Sequence, residues 1–456
     1  MVSYPSYISY IEPMMRKKKK LPEGLYQATL HALSHEGRGI AHINGKTTFI
    51  DNALIGEEVD FEYTYSKSQY DEGKAIHIKT ASADRVAPVC PHFSICGGCS
   101  MQHLSQEAQI KHKEQTLLSH LNHFGNLSPK EVLPPITGPA YGYRTKARLG
   151  VRFVIKKGSV LVGFREKYSN FLAEIDSCAI LAPKIGQKIT ALRELIFNLN
   201  AKNEIAQIEV AVSHETTALI FRNLAPLIPT DENLLRAFAK EHHFRIYLQP
   251  KGPDSIHLLS GLEDGWLSYF LENQKLELLF HPTDFTQINL AINQHMVDRA
   301  LSLLALQPHE TVLDLFCGLG NFTLPIAQCA KHVTGVEGSL KMTQRAQMNA
   351  THNHISNTSF YAHDLTKDIS TAPWANASYD AILIDPPRSG AKELIEQIRP
   401  FKAKRIVYVS CHPATLARDA EILKTQGYTL QKAGVLDMFP HTSHVESIAL
   451  FQLNGE

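Results

Sequence analysis

Cys411 follows the apolar run Ile406-Val-Tyr-Val-Ser410 and precedes His412-Pro413. That order places a thiol at the end of a buried strand, with a proline suited to the first turn of the next helix. A helix amino terminus favours the thiolate, the reactive form of cysteine, so Cys411 is a candidate nucleophile. The alternative is a small buried packing residue, a common fate of cysteine. Cys317 and Cys329 lack so electropositive a setting and are read as packing residues.

A second constellation points to a cofactor. Val312-Leu-Asp314-Leu-Phe316-Cys-Gly318-Leu-Gly320-Asn321-Phe322 runs from an apolar strand into a glycine-containing turn and then a helix. Glycines let backbone approach a ligand closely, and Glu337, at the end of the next strand, can accept from both ribose hydroxyls of a nucleoside. A dinucleotide fingerprint would place a third glycine where Thr323 stands, so S-adenosylmethionine fits better than NAD. Asp385-Pro386-Pro387-Arg388 ends another apolar strand at the same mouth. Methyltransferases acting on exocyclic amines carry an aromatic in the fourth position of such a motif, and Arg388 argues against that class. A thiol suits carbon 5 of a pyrimidine instead. That carbon is too weak a nucleophile to attack a sulfonium unaided, and sulfur addition at carbon 6 generates an enolate with electron density at carbon 5. A base must then remove the carbon 5 proton. Glu446, in His444-Val445-Glu446-Ser447, is the leading candidate, its alternative being an ordinary surface carboxylate; sequence spacing does not establish that it meets Cys411.

Four further thiols lie in the other half of the chain: Cys90, Cys96 and Cys99 in Cys90-Pro-His-Phe-Ser-Ile-Cys96-Gly-Gly-Cys99, and the distant Cys178. Four thiolates can hold structural zinc or an iron-sulfur cluster, and the spacing leaves both open. It differs from the motif of radical enzymes that cleave adenosylmethionine, so a structural or substrate-positioning site is expected.

The elements that must position these groups are those of a multidomain α/β protein. A chain of 456 residues implies two to four domains at roughly 100–200 residues each. With 44% hydrophobic and 20% charged residues it is an ordinary globular chain. No apolar stretch approaches the ~18 residues that span a bilayer, and no secretory signal is legible, so a cytoplasmic protein with no membrane role is expected. A net charge of +1 leaves nucleic-acid attraction to local patches. Residues 1–16 read as a tail. Residues 17–80 read as a small antiparallel β-barrel, serving either RNA or as a spacer. Residues 81–280 read as a central α/β domain with the four-cysteine site, and 281–456 as a Rossmann-like, doubly wound parallel sheet. Tyr141-Gly-Tyr-Arg144-Thr-Lys146-Ala-Arg148 mixes aromatics and cations as a strand-gripping surface would, and by itself the run reads first as a solvated strand whose tyrosines pack inward.

Together these segments resemble the RNA 5-methyluridine methyltransferases, specifically the branch acting on 23S ribosomal RNA. The resemblance covers nearly the whole chain after the tail, and it implies a TRAM-like (OB-type) barrel before a class I methyltransferase domain. It implies S-adenosylmethionine contacts at Gln287, Phe316, Asn321, Glu337, Asp364 and Asp385, the nucleophile at Cys411 and the proton acceptor at Glu446. It also implies a [4Fe-4S] cluster on Cys90, Cys96, Cys99 and Cys178, 23S ribosomal RNA as partner, and a monomer. One departure is His412, where the family usually has asparagine. The tRNA-directed relatives typically lack the barrel and the four-thiol loop. A non-catalytic RNA-binding protein that keeps a degenerate fold is the competing class, against which stands the presence of every expected motif.

Overall fold

The computed structural model describes residues 21–260 and 266–455; the tail read over 1–16 lies outside them. The chain divides into two units, Met1–Arg85 and Val86–Glu456.

In the first unit six strands lie in the order Tyr26–Thr29, Glu58–Ser66, Tyr70–Thr80, Lys46–Asp51, Gly39–Ile43, Ala32–Leu33. Alternation along the strands turns Ala28, Ala41, Ile50, Val59, Phe61 and Ala75 into one apolar core. The expectation of a wholly antiparallel arrangement is corrected at one place: Lys46–Asp51 pairs in parallel with Tyr70–Thr80. The hairpin formed by Glu58–Ser66 and Tyr70–Thr80 brings its second strand back alongside Lys46–Asp51 in the same direction. Buried Glu57 accepts from the backbone N–H of Leu54 and Ser82 and from Arg85, which satisfies its charge and fixes the exit from the sheet.

The second unit holds two large sheets. One has the order His257–Ser260, Phe244–Leu248, Thr217–Asn223, Ile205–Val212, Lys146–Val154, Ser159–Gly163, and shares an apolar core with the helices Ile189–Asn198 and Pro229–His242. The other has eight strands, in the order Thr358–Ala362, His332–Glu337, Thr311–Leu315, Ala381–Ile384, Arg405–Ser410, Glu446–Leu453, Tyr428–Leu436, Glu131–Val132. The first five are parallel, as predicted. The next is not: Glu446–Leu453 inserts antiparallel between Arg405–Ser410 and Tyr428–Leu436.

The predicted single central domain at 81–280 is divided in the structure. Its strand Glu131–Val132 extends the eight-stranded sheet. Its hairpin Leu267–Leu271 and Leu276–Phe280 buries Tyr269, Leu271, Leu278 and Phe280 against Met296, Val297 and Ala300 of the helix Leu290–Leu304. Its helix Gln106–Gly125 buries Leu117 and Leu121 in the same cluster as Leu416 and Ala420, and each fully buried leucine contributes about 1.5–3 kcal/mol. Gln106–Gly125 starts at Ser105, whose side chain accepts from the Ala108 N–H, and Leu290–Leu304 starts at Asn289, which accepts from Ile292 N–H. No helix among the described residues is long and apolar enough to cross a membrane.

Candidate active site

The strand order reverses between Thr311–Leu315 and Ala381–Ile384, since the strands that follow each lie on opposite sides. Such a reversal opens a crevice at the strands' carboxyl ends. Asp314, Glu337, Asp385 and Cys411 all stand at or just past those ends.

The turn after Thr311–Leu315 is built on positive φ angles at Phe316 (64°), Gly318 (56°) and Gly320 (97°). For a bulky phenylalanine that conformation is strained, a feature that concentrates at functional sites. A side chain at Gly318 would meet nothing within 4 Å, so the backbone faces open space there. Glu337 accepts from Gly318 N–H at 3.3 Å and Ser339 N–H at 3.1 Å, which ties the turn to the start of the helix Leu340–His352. Asp314 is buried; one carboxylate oxygen accepts from the Thr323 hydroxyl and the other has no hydrogen-bond partner. Burial, with lesser contributions from Asp385 and Glu337, pushes its carboxyl up to about 7. The side chain of Asn321 forms a reciprocal amide pair with Asn293 and accepts from the Tyr269 hydroxyl. Gln287 approaches Asp385 at 3.5 Å. Asp364 follows His363, whose N–H donates to Glu337 O; it is exposed and accepts from the hydroxyl and N–H of Thr366, which hold its carboxyl below the usual range.

These residues fit S-adenosylmethionine. A glycine turn with an open backbone face, a carboxylate at the end of the neighbouring strand and a buried carboxylate oxygen lacking a partner suit a nucleoside joined to a cationic sulfonium. Replacing Glu337 with alanine is expected to weaken S-adenosylhomocysteine binding by about 100-fold or more in calorimetry, the loss of two hydrogen bonds to a charged acceptor, and to lower the melting temperature, because Gly318 and Ser339 N–H lose their acceptor.

Only the register brings Cys411 to Glu446. Arg405–Ser410 and Glu446–Leu453 pair antiparallel with Ser410 opposite Ser447, so the next position on each strand sets residue 411 against residue 446. Glu446 is 4% exposed, not the surface carboxylate that was its alternative. Burial, reinforced by Asp385 and opposed by Arg388, pushes its carboxyl far above the usual range. The expectation of a thiol activated by its helix is corrected: burial first, then Glu446 and Asp385, push Cys411 up to about 11. Arg388 pulls it down, and its guanidinium lies 3.4 Å from the His444 ring. Burial and the two carboxylates together outweigh the exposed Arg388. His412 caps the helix Pro413–Thr425, its ring accepting from Thr415 N–H, and so does the work for which asparagine is a preferred residue.

Cys90, Cys96, Cys99 and Cys178 line one small cavity together with Phe93, Gln102 and Ile180. Burial pushes Cys99 up to about 12, with Cys178, Cys96 and Cys90 adding to the effect. Gly186 lies so close that a side chain there would sit 2.4 Å from the Cys178 carbonyl oxygen, and its own carbonyl accepts from Cys178 N–H. The four soft donors suit a metal centre chemically, while among the described residues no group of three or more cysteine, histidine or acidic side chains is arranged to hold an ion. Cys317 is buried as expected; Cys329 is exposed, which corrects its reading as a packing residue.

The Tyr141–Arg148 run divides between its two readings. Tyr143 is buried and donates to Pro440 O, and Lys146 donates to Asp284 O, while Tyr141 and Arg148 stay exposed. Sequence reasoning missed Gln109 and Lys113 on the helix Gln106–Gly125, both fully buried. Their signal was available: Lys113 falls on the apolar stripe of Ile110, Leu117 and Leu121.

A largely parallel sheet with one inserted antiparallel strand, and a glycine turn at its switch point, define a class I methyltransferase. The TRAM domain profile matches residues 26–76, and the tRNA (Uracil-5-)-methyltransferase profile matches 268–453. The chain is 51% identical over 440 residues to the 23S rRNA (uracil(1939)-C(5))-methyltransferase RlmD of Alcanivorax borkumensis, covering 96% of this chain and 99% of that one. It is 53% identical to the RlmD of Hahella chejuensis, over 96% and 100% of the two chains. The chain therefore belongs to the RlmD family of uracil-C5 methyltransferases. The same fold is seen in the tRNA (uracil-54, C5)-methyltransferase of Pyrococcus abyssi, solved with S-adenosyl-L-homocysteine: 23% identity, TM-score 0.72, 93% of this chain and 99% of that one.

Proposed function

We propose that this protein transfers the methyl group of S-adenosylmethionine to carbon 5 of a uridine in 23S ribosomal RNA, the uracil 1939 named for its relatives. The observation that carries the chemistry is the antiparallel register that sets Cys411 against Glu446 at the mouth of the glycine-turn crevice. When bound, S-adenosylmethionine supplies an electrophilic methyl group; Gln287, Phe316, Asn321, Glu337, Asp364 and Asp385 would hold it. The Cys411 sulfur adds to carbon 6 of the uracil, and the electron pair displaced from the ring double bond moves toward carbon 5 and its carbonyl. Carbon 5 would then take the methyl group as the methyl–sulfur bond breaks, its electron pair leaving on the sulfur of S-adenosylhomocysteine. Glu446 removes the proton left on carbon 5, the ring double bond re-forms, and the carbon–sulfur bond breaks to free Cys411. A target base within structured RNA must leave its stack to reach this site. The first unit is proposed to bind RNA, and within the second unit Tyr141 and Arg148 are proposed to contact the strand around the target base.

The deciding experiment incubates the purified protein and S-adenosylmethionine with unmodified 23S RNA and, separately, unmodified tRNA, and maps products by mass spectrometry. One new 5-methyluridine in 23S RNA is expected. Product in tRNA alone would overturn the substrate, and no product in either would favour a binding protein with a methyltransferase fold.

Cys90, Cys96, Cys99 and Cys178 are proposed to hold a [4Fe-4S] cluster. Four cysteine donors gathered on one cavity, three of them opposing the ionisation of Cys99, support this reading, because a metal centre would compensate the charge of the thiolates. Anaerobically purified protein is expected to contain equimolar iron and sulfide, and Cys99→Ser to lose most of both. Zinc in their place, measured by elemental analysis, would refute the cluster.

A further inference from the structure

Glu446 is the first residue of its strand, so the segment 437–445 leading into it decides where its carboxylate stands. That segment lies outside the sheet. Beside the contact of Arg388 with the His444 ring, it is tied to the stretch from Ser100 to Tyr143. Lys113 donates to the Asp437 carboxylate at 2.8 Å and to Phe439 O at 2.9 Å, and the Tyr143 hydroxyl donates to Pro440 O at 3.0 Å. His441, held at φ 65°, accepts on its carbonyl from both Ser100 and Met101 N–H, the two residues after Cys99. The joint between the two stretches is Gln109. Its amide nitrogen donates to Met101 O at 3.0 Å and Leu104 O at 2.7 Å, while its oxygen accepts from His441 N–H at 2.9 Å. One side chain therefore fixes the turn after Cys99 and the strained residue five positions before Glu446.

We propose that Gln109 is a positioning residue for proton removal, holding the 437–445 segment so that Glu446 meets carbon 5 of the methylated uracil. The proposal rests on the uracil-C5 reading above. Gln109 touches neither the base nor Cys411; its effect passes through His441. Glu446 acts only after methyl transfer, so a displaced carboxylate leaves the first steps intact and stalls the enzyme while carbon 5 is methylated and carbon 6 is still joined to Cys411. A joint that merely stabilised the fold would slow every step alike.

The test compares full-length wild type, Gln109→Leu, Tyr143→Phe and Glu446→Gln on unmodified 23S RNA. It measures single-turnover methyl transfer, kcat and KM, and the fraction of enzyme in a denaturation-stable, carbon-5-methylated adduct. Gln109→Leu is expected to transfer the first methyl group within about twofold of wild type. Its kcat should fall about 10–100-fold, the range a displacement near 1 Å produces, with KM little changed and adduct accumulating as in Glu446→Gln. Tyr143→Phe, which loses one hydrogen bond at constant shape, should shift the same ratio in the same direction and decides the matter if Gln109→Leu does not fold. Equal slowing of methyl transfer and release, or wild-type adduct levels in a folded variant, would overturn the proposal. Wild type that forms no 5-methyluridine would instead refute the underlying reaction.

Discussion

Cys411→Ala is expected to form neither 5-methyluridine nor a covalent RNA complex, with a rate loss of about 10⁴-fold or more. Removal of a covalent nucleophile has effects of that order because the remaining groups cannot generate the reactive carbon 5. The measurement is methyl incorporation into unmodified 23S RNA under single-turnover conditions, with S-adenosylhomocysteine affinity as the control that the site is folded. Residual activity within tenfold of wild type would exclude a thiol mechanism. The environment of Cys411 adds a pH dependence whose sign follows directly. The attacking species is the thiolate, and a thiol pushed up to about 11 is ionised only to about 10⁻⁴ at pH 7. Covalent addition should therefore quicken by close to tenfold per pH unit between about pH 6.5 and 9. A rate flat in that range would mean that bound substrate lowers the thiol, the direction in which Arg388 already acts.

Glu446→Gln is expected to give the opposite product pattern. Addition and methyl transfer each require nothing of Glu446 except its place in the pocket, whereas proton removal requires its lone pair, and an amide has no comparable basicity. One methyl group per enzyme should be transferred, after which the protein remains joined to methylated RNA and turnover falls by about 10²–10⁴-fold, the usual contribution of a general base. Denaturing electrophoresis with labelled methyl donor reads this directly, as label that migrates with the protein above its free mass and that stays on the protein when nuclease digestion returns the complex to nearly the mobility of free protein. Free 5-methyluridine at the wild-type rate would assign the base elsewhere. Burial and Asp385 hold the Glu446 carboxyl well above its ordinary range, so its ionised form also grows with pH. Addition and elimination thus rise together with pH, and the activity optimum should lie on the alkaline side of neutrality.

The amino-acid sequence by itself determined the local frame of this protein. Short apolar runs marked the strands that end at Glu337 and at Ser410. It determined the chemistry of the crevice as well, because glycines at 318 and 320, a carboxylate at 337 and a thiol before a proline carry their meaning in residue type and short spacing. The tertiary structure decided what depends on separations that no local pattern records. Whether Glu446 meets Cys411 was decided by the antiparallel insertion of one strand among parallel ones, since reversing direction sets 446 against 411 instead of carrying it to the far edge of the sheet. Whether the thiol is poised as thiolate was decided by the sum of burial, Glu446, Asp385 and Arg388, the three charged groups coming from two segments remote from Cys411 in sequence. The division of residues 81–280 followed the same logic: Gln106–Gly125, Glu131–Val132 and the hairpin 267–280 bury their apolar faces against the methyltransferase sheet because a complementary face exists there, not because they are near it in sequence. Most plainly, Gln109 and His441 are 332 positions apart, and nothing short of the packed fold makes them a pair.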